Sequence, residues 1–189
     1  IKVDEVNLKK STKINLLFIG RLIEEKNLFN TLTLLAKVND IVPIKFDIYG
    51  DGPQENALQN FVKKNKIDFV EFKSKIKWED ISKIYPNYSH LILLSSSETW
   101  GMVANEAQFF NLNVICSSNC GCANDLIINN YNGLVINQMD NQLTPNSIAN
   151  YLLKQKESSI FTKNNNLIFD ESYTIRKFIK KLYLVNELK

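Results

Sequence analysis

Short apolar runs alternate along the chain with segments whose apolar residues recur every three or four positions, and this alternation sets the expected elements. Ile14 to Ile19 (INLLFI) is too brief for a helix, is closed by Gly20 and predicts a buried strand. Leu28, Leu32, Leu35 and Ala36 then share one helical face. Ile44 to Tyr49 predicts a second strand, Gly50 to Pro53 a turn with Pro53 in the first turn of the next helix, and Ala57, Leu58, Phe61 and Val62 that helix's buried face. The alternation continues with a strand at Asp68 to Phe72, a short helix near Trp78 to Tyr85, a strand at His90 to Leu94, a helix at Met102 to Phe110 and a strand at Asn113 to Cys116. A short helix after Asn124, a strand at Gly133 to Ile136 and a helix from Pro145 to Lys156 complete it.

Strands that are apolar on both faces and separated by helices belong to a parallel sheet covered on both sides. The expected fold class is therefore α/β, a three-layer doubly wound parallel sheet occupying residues 1–166. Residues 167–189 break the pattern: Ile175, Phe178, Ile179, Leu182 and Val185 predict an amphipathic C-terminal helix. In such a sheet, ligands sit beyond the carboxyl ends of the strands, where loops meet helix N-termini.

Composition narrows the function classes. With 189 residues, 44% of them hydrophobic, the chain is long enough to bury roughly 70% of its unfolded surface without staples. A formal charge of +3, from 23 Lys and Arg against 20 Asp and Glu, supplies no basic stripe of the kind that binds nucleic acid. No apolar run approaches the 18 or so residues of a membrane span, and the opening IKVDEVNLKKSTK lacks the features of a secretion signal. The chain opens on Ile1 rather than Met, as a piece of a longer protein would. Cys116, Cys120 and Cys122 lie far in sequence from the one histidine, His90, so they read as free thiols of a reducing cytoplasm rather than metal ligands. His90 itself opens a strand behind the ligand edge and reads as structural.

Three loops on that edge carry chemistry. Of 23 basic residues only Arg21 and Arg176 are arginine, and Arg21 stands with Lys26 in GRLIEEK, directly after the first strand. A guanidinium fork with an ammonium five residues on suits a diphosphate. Equally, Arg21 and Lys26 in a surface loop would pair with Glu24 and Glu25. SETWGM joins the fourth strand to its helix, whose unpaired amides and dipole favour a phosphate. Glu98 and Glu106, seven intervening residues apart, could each hold vicinal hydroxyls of a sugar or ribose, or else be a solvated side chain and a helix-dipole partner. After the fifth strand, Gly121 allows a close backbone approach to a ligand, or makes a plain turn, and Asn124 or Asp125 is placed to cap a helix. Lys73, Lys75 and Lys77 read as a solvated edge.

Together FIGRLIEEKN, IYGDGPQENAL and SSSETWGMVANEAQFFNLNVI resemble, in order and spacing, the signatures of the C-terminal donor-binding domain of the retaining GT-B glycosyltransferases of family 4. The resemblance runs from Ile14 to about Lys156 and implies a Rossmann-like half of a GT-B enzyme. It implies a nucleotide diphosphate sugar as donor, bound without metal and with no other cofactor. It places Arg21 and Lys26 on the diphosphate, Glu98 on the transferred sugar, Gly20 and the amides of Thr99, Trp100, Gly101 and Met102 at the sugar and phosphate, Glu106 on the ribose and Ile76 at the base. It further implies an absent N-terminal domain that supplies the acceptor site for a glycan or lipid-linked acceptor, and a cytoplasmic place of action at the inner membrane face. The chain departs from the pattern at Ser74 and Cys122, where glycine is usual, and at Ala123, where proline is frequent. Two other readings share the same residues: a nucleotide-sugar-binding module that transfers nothing, and an epimerase-like relative. A dinucleotide site is disfavoured, because G-x-G-x-x-G is absent after the first strand.

Overall fold

The computed structural model describes residues 13–77, 80–137 and 145–157. Six strands form one all-parallel sheet: β1 (Ile14–Ile19), β2 (Ile44–Tyr49), β3 (Val70–Lys73), β4 (His90–Leu93), β5 (Asn113–Ser117) and β6 (Gly133–Ile136), in the spatial order β3-β2-β1-β4-β5-β6. The helices are α1 (Leu28–Asn39), α2 (Glu55–Lys64), α3 (Ile81–Ile84), α4 (Met102–Phe109), α5 (Ala123–Leu126) and α6 (Pro145–Glu157). This is the three-layer architecture predicted from the alternation.

Side chains of a strand alternate between faces, so each strand feeds two cores. Leu16 and Phe18 of β1 join Phe46, Ile48, Ile92 and Ile115 under α1, α2 and α6. Leu17 and Ile19 join Leu91, Leu93, Val114 and Cys116 under α3, α4 and α5. The chain therefore winds outward from β1 through α1 on one face and from β4 through α4 on the other. Between these neighbouring strands, paired at Leu16–His90 and Leu17–Leu91, lies the topological switch point.

Four local features differ from the sequence reading. β3 begins at Val70 because the chain is still leaving α2 before it: Lys66 takes a left-handed φ of 53° and the Ile67 amide bonds back to the Val62 carbonyl. α3 passes at Tyr85 into a 3-10 turn, Tyr85–Asn87, where Pro86 supplies no amide; Trp78 lies outside the described residues. Pro53 stands ahead of α2, whose first residue is Glu55. α5 starts at Ala123, so Asn124 and Asp125 lie within it and its N-cap is Cys122, with no side-chain cap bond. The amphipathic segment 167–189 also lies outside the described residues, while the sheet and its helices occur within 13–157.

β2 carries polar residues, Lys45 and Asp47, on one face. Buried Asp47 accepts from the Tyr88 hydroxyl at 2.6 Å and from Lys45 Nζ at 3.2 Å, and Lys45 reaches Glu71 on β3 at 3.3 Å. Toward the β3 edge this face thus adds charge pairs to the packing of Tyr49 against Tyr88.

His90 is structural. Its ring is fully buried, with Nδ1 2.8 Å from Ser89 Oγ and the ring edge-on to Tyr151 at 5.7 Å. Burial pushes its pKa down to about 3. An unfolded chain binds a proton at this residue near pH 6.5, whereas the folded chain resists it until about pH 3, so folding stability is lost as pH falls through that window. Thermal unfolding followed from pH 7 to 4 should show a falling Tm, and His90→Gln should flatten that slope; an unchanged slope would show that other groups control it.

Candidate functional site

The three loops at the carboxyl edge are tied together by backbone bonds. After β1, the Gly20 amide donates to the Tyr49 carbonyl at 3.0 Å and the Leu22 amide to Asp51 at 2.8 Å, while the Gln54 amide returns to Leu22 at 3.0 Å. Arg21 is therefore fixed at the backbone from both sides by the end of β2 and the turn that follows it. A Cβ on Gly50 would lie 1.9 Å from the Gly20 carbonyl oxygen, and its φ of 149° is one that L residues rarely adopt. The primary work of this turn is to support the Arg21 loop. The Arg21 side chain is exposed and makes no ion pair among the described residues.

Lys26 closes a 3-10 turn, Glu24–Lys26, and is followed by Asn27 in the left-handed region at φ 55°. Asn tolerates that conformation through its short polar side chain, and here Asn27 Nδ2 donates to the Leu94 carbonyl at 3.2 Å. The Ser96 amide donates to the Glu25 carbonyl at 2.8 Å. With the two loops joined in this way, Lys26 Nζ reaches Glu98 Oε2 in a direct ion pair across the switch point. Both side chains are largely shielded, at 18% and 17% exposed. Lys26 thus pairs with neither Glu24 nor Glu25, which are exposed, and Glu98 is not merely solvated.

The loop after β4 runs beside the loop after β5. The Glu98 amide donates to the Asn119 carbonyl at 3.3 Å, Gly121 to Glu98 at 2.9 Å and Cys122 to Trp100 at 2.9 Å. A Cβ on Gly121 would meet the Thr99 carbonyl oxygen at 2.0 Å, so this glycine serves the approach of Thr99, a protein backbone and not a ligand. Cys122 occupies ordinary right-handed backbone, so no glycine is needed there, and its buried sulfur lies under Gly101. The neighbouring thiols are buried and unoxidised. The hydrogen bond with Cys122 and then burial push the Cys116 thiol up, and burial chiefly raises that of Cys120, so nucleophilic chemistry is not favoured at either.

Gly101, at a left-handed φ of 93°, is the N-cap of α4, and no side chain caps that helix. Its leading amides face the switch point with the dipole's positive end. Thr99 is exposed, Met102 is 48% exposed, and Trp100 is half-buried with its indole N–H donating to Asn105 at 2.7 Å. Glu106, one turn into α4 and half-buried, accepts from the Tyr85 hydroxyl at 2.8 Å. Ile76 lies half-buried in the loop after β3, where Lys75 pairs with Asp51 at 3.4 Å. That pair, with Lys73 on Glu71, shows that the lysine alternation is partly engaged in charge pairing. Tyr85 and Asn27 were not singled out by sequence. The signal for Asn27 was the EEKN string itself, whereas Tyr85 comes from a different helix than the one it supports.

The profile of the family described as "Glycosyl transferases group 1" matches residues 2–167. An α-1,4-N-acetyl-D-galactosaminyltransferase of Campylobacter jejuni that acts on a diNAcBac-PP-undecaprenol-linked glycan is 34% identical over 137 residues, 70% of this chain and 37% of that protein. Among solved structures, TarM superposes with a TM-score of 0.73 at 18% identity, covering 97% of this chain and 37% of that one. The pneumococcal O-GlcNAc transferase GtfA, in complex with UDP and GlcNAc, gives 0.68 at 20% identity over 93% and 36%. The chain spans 24% to 37% of the length of the curated relatives compared with it. No described helix is long and apolar enough to cross a membrane.

The packing of Gly121 on Thr99 is open to test. Gly121→Ala must push the two loops apart and is expected to lower stability by about 1–3 kcal/mol, read as a fall in Tm of the chain. An unchanged Tm would mean that the loops yield freely.

Proposed function

From a chain that belongs to the group 1 glycosyl transferases and has a Rossmann-like fold shared with glycosyltransferases, we propose the donor-binding half of a GT-B sugar transferase. It holds a nucleotide diphosphate sugar, and the glycosyl unit passes, with retention at the anomeric carbon, to a glycan or lipid-linked acceptor. A companion N-terminal domain supplies the acceptor site, and the complete protein works in the cytoplasm at the inner membrane face.

The observation that carries this reading is the Lys26–Glu98 pair spanning the crevice between β1 and β4, flanked by exposed Arg21 and the uncapped start of α4. In the empty site Lys26 is neutralised by Glu98. A diphosphate entering the crevice offers Lys26 a better partner, since Arg21 and the amides of Thr99, Trp100, Gly101 and Met102 share its charge. Glu98 is then free to accept from hydroxyls of the donor sugar, and Glu106 from those of the ribose. Gly20 lets the phosphates approach the backbone, and Ile76 meets the base. As the glycosidic bond opens into an oxocarbenium-like state, negative charge builds on the leaving diphosphate, where Arg21 and Lys26 stabilise it more than they stabilise the ground state. These cations and amides fit a diphosphate without a metal ion.

Two measurements test this. UDP, GDP and ADP screened by thermal shift should include one that stabilises the chain by about 2.7 kcal/mol at a hundredfold excess over its dissociation constant, a rise of several degrees; silence from all three would overturn the reading. In the complete enzyme, Arg21→Ala should lower kcat/KM by about 10²–10³ with Tm unchanged, because the side chain is exposed and unpaired among the described residues. Unchanged turnover would remove the guanidinium from the mechanism.

A further inference from the structure

Glu106 lies on α4 with its side chain leaning back toward the helix start, but direction alone does not hold a half-buried carboxylate in one rotamer. What does so is contributed from outside the helix. Tyr85, where α3 passes into the 3-10 turn, is fully buried, and its hydroxyl donates to Glu106 Oε2 at 2.8 Å. Its ring stacks on Phe110 at 5.2 Å with an interplanar angle of 19°, and Phe110 is the residue that closes α4. The ring is thus clamped to the same helix whose carboxylate its hydroxyl holds.

An ionised carboxylate is an acceptor only, with two oxygens and about four lone-pair directions. Tyr85 takes one of them on Oε2 and leaves Oε1 uncommitted by any bond to it. Burial, and then the carboxylate itself, push the Tyr85 hydroxyl far above its ordinary pKa, so it remains a donor at every working pH. A water in the same place would hold the carboxylate through a mobile partner.

We propose that Tyr85 is a positioning residue for nucleotide recognition: by fixing Oε2 of Glu106 it presents Oε1 to the vicinal hydroxyls of a ribonucleoside diphosphate. This rests on the reading that Glu106 receives the ribose, and it adds the group that makes that recognition selective. Tyr85 itself contacts Glu106 and the core and touches no ligand.

The test compares UDP, GDP and ADP, each beside its 2′,3′-dideoxy analogue and beside inorganic pyrophosphate, by calorimetric titration of the chain. Wild type should bind one of the ribonucleotides about tenfold or more tighter than its dideoxy form, since hydrogen bonds to a charged group carry that much discrimination. Tyr85→Phe keeps the stacked ring and should reduce the ratio to about threefold or less while pyrophosphate affinity stays at the wild-type value. Phe110→Leu, which keeps the hydroxyl and loses the stacking, should lower Tm and retain most of the discrimination. A full ratio in Tyr85→Phe would overturn the positioning role, as would equal losses for all three ligands, which would report general distortion. A wild-type chain that binds ribo- and dideoxy forms alike would remove the ribose role of Glu106 together with this inference, and one that binds no nucleotide would remove the proposed function itself.

Discussion

The site depends on one topological constraint: β1 and β4 are neighbours in the sheet, yet the helices that follow them lie on opposite faces. The loops that follow them must lead to opposite faces, and such a switch point is where open α/β sheets bind their ligands. Arg21, Lys26, Glu98, Gly101 and Glu106 take their places from that divergence. Arg21 and Lys26 leave by one side, Glu98, Gly101 and Glu106 by the other, and the ion pair of Lys26 with Glu98 joins the two paths beside the backbone bond from Ser96 to Glu25.

Divergent loops would be mobile if they were attached only at their ends. Here each is hydrogen-bonded to its neighbour along its length: the β1 loop to the β2 turn through Leu22, the β1 loop to the β4 loop through Ser96, and the β4 loop to the β5 loop through Gly121 and Cys122. The sheet's parallel ladder is in effect continued past the strand ends, as the isolated pairing of Glu98 with Cys120 shows. Preorganisation of this kind matters for charge recognition, because donors already aimed at an anion need little reorganisation when it arrives. The tolerance of the scaffold at Cys122 and Ala123 follows from the same ties: both pack as small buried residues in right-handed backbone, so the usual glycine and proline are dispensable there.

The fold was legible because strand and helix periods differ so plainly in INLLFI and in Leu28, Leu32 and Leu35, and because each strand ends at a loop rich in chemistry. Element order and the α/β class follow from that alone. The candidate site was legible to the level of its loops, which place Arg21, Lys26, Glu98, Gly101 and Glu106 at the carboxyl edge of the sheet. Their partners were less accessible. Lys26 had nearby carboxylates at Glu24 and Glu25 and bonds instead to one 72 positions away, a choice made by loop packing and not by local sequence. The sequence allows Gly121 to serve a ligand or a plain turn, and the neighbouring backbone of Thr99 is what it accommodates; Gly50 forms its turn against the backbone of Gly20. Tyr85 is only the end of a short helix in the sequence, since a phenol's hydroxyl partner is decided by tertiary contact, in this case 21 residues on. The pairing of Asp47 with Lys45 is hidden in the sequence because a strand's two faces look equivalent until their covers are known.

The resting pair of Lys26 and Glu98 has a further effect on what the crevice will admit. A small inorganic anion that attracts the ammonium strips the carboxylate of its counter-charge in a place where both are shielded, and offers nothing in return to the acid. A molecule with an acidic end and a hydroxylated end satisfies both at once. In the proposed donor site, a ligand that carries both groups displaces the pair at less cost than an anion that meets the ammonium alone.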